Sequence, residues 1–248
     1  MGPIGIVAAL EAEARALGTA RRHMNRVLRL HDGTLLAISG IGAEAAVHAA
    51  RRLVDAGVRG LVSWGMAGAL DPALRAGDLV LPSAVITPDV GPISMSAGWR
   101  EWLAARLVET LTHPRAAPIA VCGGVLLTSP VALDTVAAKA AALRTTLAVA
   151  VDMESAAIAT VAVDRGLPCI AVRAIVDTAA DCLPRAVLAA SRAGQIRISG
   201  LARELLRSPK DIAPLLRLVG RYRAAKRTLQ CVARVGLNFP QPGAARRA

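Results

Sequence analysis

The chain has 248 residues, 54% of them hydrophobic, with a mean hydropathy of +0.46 and a formal net charge of +12. That is enough apolar side chain for one large core, or for an α/β domain with extensions. A membrane-spanning reading is excluded, because the apolar runs are strand-length or broken by charge, short of the roughly 18 residues a span needs.

The start, Met1-Gly2-Pro3-Ile4, has no basic region before an apolar core, so it is not expected to act as a secretory signal. It also carries Ile6 where a myristoylation motif wants Ser or Thr. Ile4–Ala9 reads as a short apolar strand. Glu11-Ala12-Glu13-Ala14-Arg15 then opens a helix with acids in its first turn, which the helix dipole favours. After a turn at His31–Gly33, Thr34–Ser39 reads as a second strand.

Ser39-Gly40-Ile41-Gly42-Ala43-Glu44-Ala45-Ala46 opens a helix to about Ala56 and matches the dinucleotide fingerprint G-x-G-x-x-A. That fingerprint needs an acid roughly 20 positions on, at the end of the next strand. Here the strand Gly60–Ser63 ends in Trp64-Gly65-Met66 instead, which speaks against a dehydrogenase. Gly40 and Gly42 are better read as a tight turn where the backbone approaches a ligand. The stretch Trp64-Gly65-Met66-Ala67-Gly68 reads as a glycine turn at that strand's end, followed by Gly77-Asp78-Leu79-Val80 entering another strand.

Pro82–Pro92 is rich in loop residues, and Gly98–Thr112 reads as a helix whose Trp99, Trp102 and Leu103 pack inward. Ala120–Thr128 reads as a buried strand and Val131–Leu143 as a helix. Leu147–Val151 then forms a strand running into Asp152 and Glu154. A helix from about Ser155 to Arg165 is stopped by Gly166 and Pro168. A second buried strand, Cys169–Val176, ends on Asp177. A right-handed strand–helix–strand unit would bring Glu154 and Asp177 to one sheet edge, where α/β folds bind ligands. Taken alone, the acids could also merely cap or solvate the strand ends.

Asp152-Met153-Glu154-Ser155-Ala156-Ala157, with Val172-Arg173-Ala174-Ile175-Val176-Asp177-Thr178-Ala179-Ala180-Asp181, resembles the purine nucleoside phosphorylase and nucleosidase superfamily. Within it the chain resembles the 5′-methylthioadenosine/S-adenosylhomocysteine nucleosidases, and most closely the hopanoid-associated phosphorylases, or adenosylhopane nucleosidases. The resemblance runs from Ile4 to Asp181, and to about Val235 with the hopanoid group. It implies a three-layer α/β fold, with a central mixed twisted sheet flanked by helices and a C-terminal helical extension. It also implies cleavage of a purine N-glycosidic bond without cofactor or metal. Asp177 would be the general acid to N7 of the base, and Glu13 would activate water. Glu154 would hold the ribose hydroxyls and Met153 would pack on the sugar. Met66, Ala67 and Gly68 would line the pocket, with Gly42 at its turn.

There are departures from the pattern. Bacterial phosphorylases of the superfamily place an arginine and a serine near the strand end at Gly65, whereas this chain has Ser63 and Met66 and no arginine between Gly60 and Leu74. Hydrolysis is therefore favoured over phosphorolysis, although Arg173 could serve phosphate. Leu133 falls where relatives carry an aromatic that stacks on the purine.

The tail sets the remaining expectations. From Arg185 onward basic residues far outnumber the two acids Glu204 and Asp211. Ile198–Leu206 and Ile212–Val235 read as amphipathic helices. Residues 1–181 are expected as the α/β domain, 182–236 as a basic helical extension packed on or beside it, and 237–248 as a disordered end. Apolar stripes between arginines suit an interfacial helix at an anionic membrane, or a helix covering the core or a dimer seam. Nucleic acid is not expected, since aromatic residues make up only 2% of the chain. Cys122, Cys169, Cys182 and Cys231 lack C-x-x-C spacing, so a reduced cytoplasmic setting fits, peripheral to the inner membrane face should the tail bind lipid. The four histidines lack metal-ligand spacing. The resemblance implies a homodimer, an adenosine-type substrate and, through the hopanoid group, adenosylhopane, with a soluble methylthioadenosine nucleosidase or a non-catalytic lipid- or nucleoside-binding module as alternatives.

Overall fold

The structure is a computed structural model that describes residues 2–19, 26–89, 91–111, 119–183 and 212–238. In chain order it runs β1 (Gly5–Ala8), α1 (Glu11–Ala14), a 3₁₀ turn (Arg15–Leu17), β2 (Val27–Arg29), β3 (Leu35–Ile38), α2 (Ala43–Asp55) and β4 (Leu61–Ala69). Then follow β5 (Leu79–Val80), β6 (Ala84–Ile86), β7 (Ile93–Ser94), α3 (Ala97–Leu111), β8 (Val121–Cys122), β9 (Val125–Thr128) and α4 (Val136–Thr146). The chain continues with β10 (Ala150–Asp152), α5 (Ser155–Asp164), β11 (Cys169–Asp177) and α6 (Ile212–Val235). The strands form one mixed sheet, flanked by helices as expected.

β4 is the axis of this sheet. Along one side it pairs with β11, in parallel from Leu61 to Gly68, with a bulge before Asp177. Along the other side it has two partners in succession. β1 pairs in parallel and ends with Ala8 opposite Trp64. β10 pairs antiparallel, with Val151 opposite Gly68. The carboxyl ends of β1 and β10 therefore run toward each other along β4 and stop short of meeting, at Gly65–Ala67.

Four sequence expectations are corrected here. Gly65–Gly68 is not a turn after a short strand but the second half of β4, because β11 continues to pair with it through Gly68. The segment Leu147–Asp177 is not a parallel crossover either: β10 is antiparallel to β4 and β11 parallel to it, on opposite sides. The carboxyl ends still converge, but head-on rather than side by side. Leu147 itself, with φ 56°, is the left-handed cap that ends α4, so β10 starts later than expected. The expected strand Ala120–Thr128 is broken into β8 and β9 at Gly123–Gly124. Gly124 has φ 100°, and a β-carbon there would lie 2.8 Å from Val149.

The helices bury small faces. α2 turns Ala46, Ala49, Ala50 and Leu53 inward, the i, i+3, i+4, i+7 spacing of an amphipathic helix. α5 buries Ala156, Ile158, Ala159, Val161 and Ala162, more than one stripe, and packs against α2. Alanine lets the two helix axes approach closely with no rotamer entropy lost. On the other face of the sheet Trp64, Trp99 and Leu103 pack with Val172 and Ala174. Each fully buried side chain of that size contributes about 1.5–3 kcal/mol.

α6 joins this second cluster through Ala225, Leu229 and Val232, all fully buried, and Thr228 donates to the Gly77 carbonyl at 2.5 Å. Arg217, Arg223, Arg227 and Arg234 face solvent. Leu229 and Val232, on the apolar side of this helix, are thus committed to the core, in line with the core-covering alternative. The expected helix Ile198–Leu206 and the end from Phe239 lie outside the described residues, as does most of 182–211. No helix among the described residues is long and apolar enough to cross a membrane.

Candidate active site

Glu13 sits at the end of α1, beyond the carboxyl end of β1. Its Oε2 accepts from the Leu10 amide at 3.0 Å, the reach-back of an N3 acid in a capping box. Its Oε1 accepts from the Met66 amide at 2.8 Å, across the gap in the sheet. The Trp64 indole donates to the Glu13 carbonyl at 3.1 Å and ties α1 to β4. The residue is 5% exposed, and burial raises its carboxyl despite the Arg173 cation and the amide donors. The helix-starting role and the inward placement are both realised, one by each oxygen.

Glu154 is the N-cap of α5, just after β10. Its Oε1 accepts from the Gly42 amide at 2.9 Å. Gly42 holds φ 101° as the N-cap of α2, a conformation that suits glycine and aims this N–H at the carboxylate. Burial and the neighbouring Asp152 push the Glu154 carboxyl up to about 7, with Arg173 and the Gly42 amide opposing and Glu13 adding to the rise.

Arg173, on β11, is 2% exposed and lies among these acids. Its Nε donates to Asp152 Oδ2 at 2.8 Å, and its Nη2 to Ser63 Oγ at 2.7 Å and Ser155 Oγ at 3.1 Å. Asp152 also accepts from Thr128 Oγ1 at 2.7 Å and from the Ser155 amide at 3.1 Å. Arg173 Nη1 and Glu13 Oε1 converge over Gly65, where a β-carbon would stand 2.6 Å from the first and 2.5 Å from the second. One cation thus faces three carboxyls, Asp152, Glu154 and Glu13; burial raises Glu13 and Glu154, and Arg173 only partly offsets that rise.

Asp177, at the end of β11, is 5% exposed and lies against Gly68 of β4. A β-carbon on Gly68 would be 3.0 Å from Asp177 Oδ2. Burial raises its carboxyl, and the Lys139 ammonium, paired with Oδ2, pulls the other way. Met66 and Met153 are half-buried beside these groups in sequence, Ala67 is buried, and Gly68 is half-exposed. The structure thus brings Glu13 to Gly65 and Met66 of β4 and Asp177 to Gly68 of the same strand, while Glu154 meets Gly42 and shares the Arg173 cation with Glu13. Leu133 packs with Leu127 and Val151.

Sequence reasoning missed Lys139, Asp152 and the pairing of Ser63 and Ser155 with Arg173. No local pattern marks Lys139, which stands in a run of alanines. Between α2, β6, β7 and the start of α5 lies a hollow of about 170 Å³, lined by Ala43, Val85, Thr87, Ile93, Ala156 and Thr160. It adjoins Gly42 and Glu154 and is mostly apolar. A larger one of about 270 Å³, at Val163, Leu167 and Cys169, lies at the far end of α5 and has no carboxyl in its lining.

Residues 3–207 match the family model of the phosphorylase superfamily. The chain belongs to the phosphorylase superfamily, and its fold is that of nucleoside-cleaving enzymes. Among solved structures it is similar to the Campylobacter jejuni 5′-methylthioadenosine/S-adenosylhomocysteine nucleosidase (TM-score 0.65, 20% identity, covering 95% of this chain and 98% of that one). It is also similar to a Helicobacter pylori methylthioadenosine nucleosidase mutant holding 5′-methylthioadenosine in its active site (TM-score 0.64, 20% identity, 85% and 99% covered). A third similarity is to the futalosine hydrolase of Helicobacter pylori (TM-score 0.59, 21% identity, 85% and 97% covered). Among curated protein sequences none matches this chain.

Proposed function

We propose that this protein cleaves the purine N-glycosidic bond of an adenosine derivative by hydrolysis. The observation that supports this is that buried Glu13 and Asp177 lie on Gly65–Gly68 of β4, with buried Glu154 beside the Arg173 cation that also faces Glu13. A nucleoside lying over that backbone meets all three. Asp177, its carboxyl raised by burial, donates a proton to N7, so the base leaves neutral. Glu154 accepts from the ribose 2′- and 3′-hydroxyls and steadies the oxocarbenium-like sugar, with Met153 and Met66 packed around it. Glu13 takes a proton from water, and that oxygen attacks the anomeric carbon. Glycines at 65 and 68 leave room beside the strand for Glu13, Arg173 and Asp177.

Water is the nucleophile on this reading because Arg173 is already engaged by Asp152, Ser63 and Ser155 and holds Glu13 beside it. A phosphate would have to displace that network. Adenine release measured with and without phosphate tests it, and strict dependence on phosphate overturns it.

The aglycone we favour is a hopanoid, as in adenosylhopane. The motif resemblance, the apolar hollow beside Gly42 and Glu154, and the outward basic face of α6 support this. With Leu229 and Val232 in the core, attachment to anionic lipid rests on Arg217, Arg223, Arg227 and Arg234, at about 1 kcal/mol per charge near the surface. Reversing three of these charges should abolish flotation with anionic vesicles. Equal flotation with neutral vesicles counts against the membrane reading. A methylthioadenosine nucleosidase is the second reading, favoured by the H. pylori neighbour that holds that nucleoside. Turnover of methylthioadenosine against adenosylhopane separates the two. We expect a homodimer, checked by sedimentation.

A further inference from the structure

Lys139 lies in α4, in the alanine-rich run Val136-Ala137-Ala138-Lys139-Ala140-Ala141-Ala142, and is fully buried. A solvated lysine would cost nothing there. A buried one must have its ammonium satisfied. Its Nζ donates to Asp177 Oδ2, to the Thr178 carbonyl at 2.8 Å and to the Asp181 carbonyl at 3.0 Å. Three acceptors match the three N–H donors of an ammonium and leave none for a ligand.

We infer that Lys139 is the positioning residue of the general acid: by occupying Oδ2 it leaves Oδ1 as the oxygen of Asp177 that carries the transferable proton, and it holds the carboxylate formed when that proton leaves. The inference rests on the proposed role of Asp177. A carboxylic acid bears one proton on either of two oxygens, and an ammonium donating to one of them excludes the proton from it. In the step itself the Oδ1 proton moves to N7 and the bond from C1′ to N9 breaks. The electron pair goes to the purine, water forms the new C1′–O bond and gives its proton to Glu13, and Asp177 is left ionised against Lys139. Solvent returns the proton once the base departs.

The charged groups around Asp177 come from three elements. Lys139 faces it from α4 and Arg221 from α6, both favouring the carboxylate, while Asp181 follows β11 and opposes it. Arg221 is itself paired with Asp181. Lys139 is the cation in direct contact, and its removal lets Asp177 stay protonated to higher pH.

The test is the pH profile of kcat/KM for adenine release by full-length Lys139→Met, Lys139→Arg and Asp177→Asn. Lys139→Met should lower kcat ten- to a hundredfold and move the alkaline limb upward by about one pH unit or more. Lys139→Arg keeps the cation and should keep the limb where it is in the unmodified protein. An unmoved limb in Lys139→Met, or an upward shift of the same size in Lys139→Arg, overturns the inference. Should Lys139→Met fail to fold, the limb of Lys139→Arg and that of Lys139→Gln decide it on the same terms. If Asp177→Asn retains full adenine release, the functional reading has failed and not merely the role of Lys139.

Discussion

The Gly42 amide donates to Glu154 Oε1 at 2.9 Å, so the N-caps of α2 and α5 meet at one carboxylate although 112 residues separate them. The bond consumes one lone pair and fixes the side chain's direction. Oε2 is then the oxygen on which a ribose diol can act. Glu154→Gln would keep an acceptor for Gly42 but lose the charge that binds two hydroxyls. We expect KM for the nucleoside to rise at least tenfold, with a thermal midpoint close to that of the unmodified protein. A KM unchanged in steady-state assays would remove Glu154 from the ribose site.

Asp177→Asn removes the transferable proton. General acid catalysis is worth about 10²–10⁴ in rate, so kcat should fall by that factor. Binding of a nucleoside analogue, measured by calorimetry, should change little.

For Glu13→Gln the amide oxygen can still accept from Met66 or Leu10, so folding should survive. The base is lost, and kcat should drop by a factor of the same order. Retention of more than about half the activity by rapid-quench assay would set the water-activating role aside.

Acidity affects folding and activity in opposite senses. Burial raises Glu13, Asp177 and Glu154, the last to about 7 against an ordinary 4.5. Between those two values the folded protein binds more protons than the unfolded chain, so stability falls as pH rises through that window. The thermal midpoint of the ligand-free protein should thus increase on going from pH 8 to 5, as far as these groups control it. Ribose binding needs Glu154 ionised, so kcat/KM should decline below about 7. Removing the Arg173 cation, as in Arg173→Met, should push that acid limb to higher pH. It would also leave Asp152 buried without its partner, at a cost of about 3–5 kcal/mol.

Gly65→Ala should be poorly tolerated, because its β-carbon would meet both Glu13 and Arg173 below contact distance. Overpacking of this kind costs about 1–3 kcal/mol. Gly68→Ala, at 3.0 Å from Asp177 Oδ2, should perturb activity more than the thermal midpoint. Scanning calorimetry alongside adenine release distinguishes the two.

Local pattern made legible only that each acid stands at the end of an element; their grouping into a site came from the family resemblance. Glu13 follows the first strand, Glu154 is the N-cap residue of α5 and Asp177 ends the nine-residue strand β11. α2, with its amphipathic spacing, and α5, which ends just before Gly166, also read correctly to within a residue or two. The direction of β10 did not, because a strand–helix–strand pattern is silent about which neighbour each strand chooses. The true extent of β4 was hidden by its glycines, which look like a turn until β11 is seen alongside. Arg173 with Ser63 and Lys139 with Asp177 are contacts across 110 and 38 residues. Lys139 in particular sits in a run of alanines that would suit a solvated helix, and only the tertiary structure turns it inward.

Since β1 stops opposite Trp64 and β10 opposite Gly68, strand β4 acts as a ruler for the two carboxyls that approach from its ends. One residue inserted between those marks would part Glu13 from Glu154 by about 3.3 Å, more than the reach of a hydrogen bond. Length, and not only composition, is therefore under constraint from Trp64 to Gly68, and loops elsewhere are freer to grow.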